Sequence, residues 1–255
     1  MTVLDDIVAR TRARLATEPP PDLAAAKSAA RNRPPFALIA ALRLDRINVI
    51  AEIKSASPSA GTIVDNPDVE AIATTYKQGG AAAISIVTEP EFFRGSREWI
   101  ARAAGQLPVL MKDFVVDESQ LIRGIAAGAS AILLLASLLD ANQIRDFIRC
   151  LDAYSCDALV EVHDEGELER AMNGGARIIG VNNRNLRDFT VDLGASERLA
   201  RQIPDGIIRV AESGIKTRTD VDRLRAAGFD AFLVGESLLR QNDRAAAVRR
   251  LVSGS

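Results

Sequence analysis

The chain has 255 residues, 47% hydrophobic and 26% charged, the balance of a globular protein with one large domain or two small ones. Its 32 Lys and Arg residues against 34 Asp and Glu give a formal charge of −2, which argues against nucleic acid or an anionic membrane as the main partner but leaves room for local basic pockets. A single histidine, His163, and two cysteines, Cys150 and Cys156, exclude three-histidine metal sites and a four-cysteine zinc site.

In chain order, the opening Met-Thr-Val-Leu-Asp-Asp carries acids where a signal peptide carries its positive region. The longest uncharged run, Gly124 to Leu139, falls short of the about 20 residues of a membrane span. The expectation is a soluble, cytoplasmic protein with reduced cysteines and no membrane partner. Residues 1–45 read as a helical extension packed on the rest of the chain. One helix runs from Leu4 to Thr17 and is broken by Pro19, Pro20 and Pro21; a second covers Asp22 to Arg31; a third, after Pro34-Pro35, ends near Leu42. Ile7, Leu15, Leu38 and Leu42 give this extension apolar surface to bury.

Residues 46–255 alternate short apolar runs with longer amphipathic stretches. The runs are Ile47–Ile53, Ala82–Val87, Val109–Met111, Ala131–Leu135, Ala158–Val162, Ile178–Val181, Ile207–Val210 and Ala231–Val234. Each gap has room for a helix and two loops, as parallel βα units require, and several runs lack polar alternation, as strands buried on both faces do. Gly80, Gly128, Gly175 and Gly228 each close a helical stretch just before the second, fourth, sixth and eighth run, where a left-handed residue after a helix end is needed. Eight such units predict an α/β fold of the (β/α)8 TIM-barrel type, a single catalytic domain. A doubly wound open sheet fits less well, because no Gly-x-Gly-x-x-Gly follows a strand.

In such barrels chemistry gathers at the carboxyl ends of the strands. Those ends carry Glu52 and Lys54, Lys112 and Asp113, Glu161, Asn182 and Arg184, and Glu212 and Ser213. Polar groups pointing into a barrel are costly unless paired, so opposite charges converging from separate strands read as a proton-transfer site, with a stabilising ion network as the plainer alternative. Glu52 and Lys54 are two apart and face one side of a strand. Ala211-Glu212-Ser213-Gly214 and Val234-Gly235-Glu236-Ser237 place small residues after strands seven and eight, the usual phosphate position of such barrels. The loop from Ser55 to Gly61, including Ser57, either closes over the same group or is a solvent loop. Phe92, Phe93 and Phe114 either wall an aromatic pocket or anchor loops. His163 reads as a surface or supporting residue rather than a catalytic one, and the cysteines as structural.

These motifs resemble those of the indole-3-glycerol phosphate synthase family. The resemblance rests on Val49-Ile-Ala-Glu-Ile-Lys-Ser-Ala-Ser-Pro-Ser-Ala-Gly61, Pro108-Val-Leu-Met-Lys-Asp-Phe114, Leu159-Val-Glu-Val-His163, Ile179-Gly-Val-Asn-Asn-Arg-Asn-Leu186 and Ala211-Glu-Ser-Gly-Ile215, with Phe92-Phe-Arg-Gly-Ser96 similar to the family's second βα loop. It implies cyclisation of 1-(2-carboxyphenylamino)-1-deoxyribulose 5-phosphate with loss of carbon dioxide and water, with neither metal nor organic cofactor. It also implies that the helical extension covers the barrel mouth. By resemblance, Lys112 is the general acid, Glu161 the general base, and Glu52 the residue that holds the lysine. Lys54 either contacts the phosphate end or donates a proton during dehydration. Asn182 orients sugar hydroxyls, Arg184 binds the anthranilate carboxylate, and Glu212 and Ser213 complete the polar floor. Ser57, Gly214, Gly235 and the backbone of Glu236 hold the phosphate, while Phe93, Phe114, Leu133 and Leu186 enclose the ring. The sequence departs from the family pattern at Ser55, Ala60, Met111 and Ser119, which puts the number of cations near the first loop in question. The partner implied is a small phosphorylated molecule; a monomer is expected because the sequence shows no long exposed apolar element. The alternatives are a sugar-phosphate isomerase similar to phosphoribosylanthranilate isomerase and a non-catalytic phosphate-binding barrel.

Overall fold

A computed structural model describes residues 2–58, 60–184 and 190–254. Eight strands form a closed, all-parallel barrel: β1 (Asn48–Ile53), β2 (Ala83–Val87), β3 (Val109–Lys112), β4 (Ala131–Leu135), β5 (Asp157–Val162), β6 (Ile178–Asn182), β7 (Ile208–Glu212) and β8 (Ala231–Val234). Each pairs with the next and β8 returns to β1, so no sheet edge is left open. All eight predicted runs are strands of this barrel, with ends differing by at most two residues. The four glycines expected to end helices all have left-handed φ, from 84° at Gly175 to 104° at Gly128. Capping boxes start the helices after β3, β4 and β7: Asp117 with Gln120, Asp140 with Gln143, and Thr217 with Asp220.

Burial divides each strand by parity. Val49, Ala51, Ile84, Ile86, Ile132, Leu134, Val160, Val181 and Phe232 belong to the core between barrel and helices. Ile50, Leu110, Leu133, Leu159, Ile208, Val210 and Leu233 form the separate core inside the barrel. Period-two alternation therefore fixes which side chains reach the interior at each strand's carboxyl end. Those are Glu52, Lys112, Glu161, Asn182 and Glu212.

The three N-terminal helices are α1 (Val3–Leu15), α2 (Leu23–Arg31) and α3 (Ala37–Leu42), close to their predicted bounds. Leu38 and Leu42 of α3 join the interior core from the amino-terminal end of the strands. No side chain of α3's own N-cap, Phe36, closes its first turn. Asp157 at the start of β5 does so, accepting the N–H groups of Leu38 (3.0 Å) and Ile39 (3.1 Å). At the other end of the barrel, α1 is tied down by charge. Glu18, just beyond it, meets Arg97 and Arg123 at 2.8 Å each, and Arg10 of α1 meets Glu91 at 2.8 Å. Among the described residues, no helix is long and apolar enough to cross a membrane.

Candidate active site

The carboxyl ends of the strands open into a cavity of about 910 Å³. Lys112 stands on its floor. Its Nζ lies 2.5 Å from Glu212 Oε2, 3.4 Å from Glu161 Oε2 and 3.9 Å from Glu52 Oε2. Lys54 Nζ meets the other oxygen of Glu52 at 2.6 Å, so one buried carboxylate bridges two ammonium groups. Burial opposes the charge on Lys112, but Glu212, Glu161 and Glu52 outweigh it and hold the ammonium well above the ordinary lysine range. Burial likewise opposes ionisation of Glu52, yet Lys54 and Lys112 keep it below its ordinary pKa. Glu161 and Glu212 both face Lys112, and the charge of one opposes ionisation of the other. Burial and the charge of Glu161 push Glu212 up to about 8. Against its burial, Glu161 is held low by Lys112 and His163. The proton of the pair therefore belongs to Glu212, and Glu161 is the ionised member.

Two glycines make space for these carboxylates. A side chain at Gly180 would collide with Glu212 Oε1 and Leu159, and one at Gly235 would come within 2.5 Å of Glu52 Oε1. Asn182 donates to Glu161 Oε1 (3.0 Å) and accepts the N–H of Arg184 (3.0 Å), linking the end of β6 to the end of β5. Asn183 fixes the next strand, donating to the carbonyls of Glu212 and Ser213.

Around this floor the cavity wall includes Lys54, Ser57, Phe93, Phe114, Leu133, Asn182, Arg184, Ser213, Gly214, Gly235 and Glu236, as expected from the sequence. Glu212 lies beneath the wall, 1% exposed, and reaches the cavity only through Lys112. Leu186 and Ser59 fall outside the described residues. Ser213 and Gly214 take successive left-handed conformations (φ 64° and 79°), turning the chain sharply at the rim. Phe93 and Phe114 face each other with ring centroids 5.9 Å apart. Phe93 is held by Glu89, a buried carboxylate that accepts the N–H groups of Glu91, Phe92 and Phe93. Phe92 does not line the cavity; it stacks under Arg10 of α1 instead.

Several wall residues carried no local signal in the sequence. Val3, Leu4 and Ile7 of α1 lie over the cavity, and Lys216 and Arg240 add cations beside Gly214 and Glu236. Only closure of the barrel brings them there. Of the departures from the family pattern, Met111 is 1% exposed and packs in the outer core, so it does not touch the cavity. Neither do Ser55, Ala60 and Ser119. Burial pushes the thiols of Cys150 and Cys156 up to about 12, consistent with unreactive side chains. Among the described residues, no group of three or more His, Cys, Asp or Glu side chains is arranged to hold a metal ion.

Known proteins similar to this chain agree with the geometry. The family described as indole-3-glycerol phosphate synthase matches residues 4–251. The indole-3-glycerol phosphate synthase of Lacticaseibacillus paracasei is 43% identical over 250 residues, 95% of each chain. That of Chlorobium chlorochromatii is 48% identical over 194 residues, 75% of this chain and 76% of its own. A solved structure of thiamine phosphate pyrophosphorylase from Pyrococcus furiosus superposes with a TM-score of 0.61 over 80% of this chain and 93% of that one; at 17% identity it shares the fold alone. The chain belongs to the indole-3-glycerol phosphate synthase family.

Proposed function

We propose that the chain converts 1-(2-carboxyphenylamino)-1-deoxyribulose 5-phosphate to indole-3-glycerol phosphate, carbon dioxide and water by general acid–base catalysis. The observation that carries this reading is Lys112: a lysine ringed by three buried acidic side chains, with its ammonium on the floor of a cavity. The ring carbon bearing the carboxylate attacks the ketone carbon, and Lys112 protonates the ketone oxygen as its charge develops. Carbon dioxide leaves and returns its bonding pair to the ring. Loss of the new hydroxyl as water, with removal of a proton from the neighbouring carbon by Glu161, completes the indole.

Glu52 holds Lys112 and Lys54 in place. Lys54 either meets the phosphate end or protonates the departing hydroxyl; its contact with Glu52 suits both roles. Arg184 receives the anthranilate carboxylate. Asn182, bonded to Glu161 and to the Arg184 backbone, orients the base as well as the sugar hydroxyls. Ser57, Gly214, Gly235 and the Glu236 backbone take the phosphate, supported by the sharp turn at Ser213-Gly214, while Glu212 and Ser213 complete the polar floor. Phe93, Phe114 and Leu133 enclose the ring. Residues 1–45 act as a cover on the barrel of residues 46–255 rather than as an independent domain. The chain works as a cytoplasmic monomer; the large exposed apolar side chains Val3, Leu23, Leu44 and Val191 lie in separate segments of the chain.

Lys112→Met tests the assignment. Turnover is expected to fall about 10²–10⁴-fold, the usual contribution of a positioned acid. The carboxylates of Glu161 and Glu52, left without Lys112, then bind protons more readily, so the variant is expected to be more stable at mildly acid than at neutral pH. Turnover within a factor of two of the parent would remove Lys112 from the chemistry.

A further inference from the structure

His163 lies outside the cavity wall, just after β5, between two carboxylates. Its Nδ1 is 3.0 Å from Glu167 Oε2, which also accepts the His163 backbone N–H at 2.9 Å. An ionised carboxylate only accepts, so Nδ1 carries a hydrogen. The far nitrogen, Nε2, is buried with no hydrogen-bond partner and lies 3.5 Å from Glu161 Oε1. In a neutral ring, Nε2 would present a lone pair to that carboxylate. In a charged ring, it presents an N–H to it.

We propose that His163 is a positioning residue: an imidazolium bridging Glu167 and Glu161 that steadies Glu161 Oε1, keeps that carboxylate ionised, and leaves Oε2 for proton transfer. The kinetic consequence rests on reading Glu161 as the general base; the charge state of His163 does not. The acidic side chains facing the ring come from three elements: Glu161 from its own strand, Glu167 from the helix Glu165–Asn173, and Glu212, the protonated member of its pair, from β7; Lys112 meets the other oxygen of Glu161 at 3.4 Å. The nearest cation of that helix, Arg170, is turned to Glu167 at 3.9 Å. Burial opposes charge on the imidazole, but the Glu167 hydrogen bond and the surrounding carboxylates outweigh it and raise the pKa above the ordinary histidine value. Asn182 supplies the second contact to Oε1, so that oxygen is held from two sides.

The chain has one histidine, so imidazole nitrogen NMR of histidine-labelled protein reports His163 alone. Expected are two protonated ring nitrogens at neutral pH and a midpoint above the ordinary value of about 6.5. Glu161→Gln and Glu167→Gln should each lower that midpoint. A neutral ring at pH 7, or a midpoint that neither variant moves, would overturn the proposal whether or not the protein turns over substrate. In kinetics, His163→Gln removes the positive neighbour of Glu161 and raises its pKa. The acid limb of the kcat/KM profile should then move up by roughly one pH unit, and Glu167→Gln should shift it in the same direction by less. A fall of equal size at every pH, with the limb unmoved, would leave His163 a merely structural residue.

Discussion

At the residue scale, the site is a problem in charge balance. Three carboxylates inside a barrel are tolerated because Lys112 and Lys54 neutralise them and because Glu212 keeps a proton. That proton has a thermodynamic consequence. Glu212 releases it near its ordinary value of 4.5 in the unfolded chain but only at about 8 in the folded one. Between those values the native state binds the extra proton, so this group's contribution to stability falls as pH rises through the window. Urea unfolding of the parent and of Glu212→Gln should show the parent losing stability relative to the variant from about pH 5 to about pH 9. A constant difference would mean that Glu212 is already ionised in the folded protein. Much of this was legible in advance. The spacing of Glu52 and Lys54, and the positions of Lys112, Glu161 and Glu212 at the ends of apolar runs, put them on the inward parity. What spacing alone could not supply is the division of labour between Glu161 and Glu212, since both occupy the same kind of position and differ only in their neighbours. The role of His163 was hidden for the same reason: its two partners come from different elements.

At the scale of elements, β-branched runs and helix-ending glycines located the strands because a buried parallel strand needs both. The short antiparallel pair Ala56–Ser57 with Gly61–Thr62 falls in a segment whose sequence marks only a loop. Two-residue strands carry no periodicity, and this pair is held by contacts to other segments, such as the Ala56 N–H on the Phe93 carbonyl at 3.2 Å. The route of α1 was equally illegible, because it depends on Glu18 finding Arg97 and Arg123 from two other elements. Glu18→Ala should loosen α1. Each of these partly exposed pairs contributes about 1 kcal/mol or less, so global stability should change little. The amides of residues 3–15 should exchange faster, and substrate KM should rise more than kcat falls, because Val3, Leu4 and Ile7 leave the cavity wall. Unchanged exchange would show that apolar packing, not this cluster, holds the helix.

At the scale of the molecule, closure of the barrel makes one site from residues spread along nearly the whole chain. Glu52 on the first strand and Glu212 on the seventh meet on a lysine from the third. The same closure brings Lys216 and Arg240 to the cavity, Arg240 paired with Glu236 at 2.8 Å. The outer core of Tyr76, Phe232 and the aliphatic strand residues is apolar, and the charged groups that converge inside the barrel lie at the carboxyl ends of the strands, where chemistry is expected. The most direct test mixes the purified protein, with and without EDTA, with 1-(2-carboxyphenylamino)-1-deoxyribulose 5-phosphate and follows indole fluorescence together with carbon dioxide. Catalysis through Lys112 predicts both products in equal amounts, undiminished by the chelator and lost in Lys112→Met. A folded parent protein that releases neither product, or a Lys112→Met variant that releases both at the parent's rate, would contradict it.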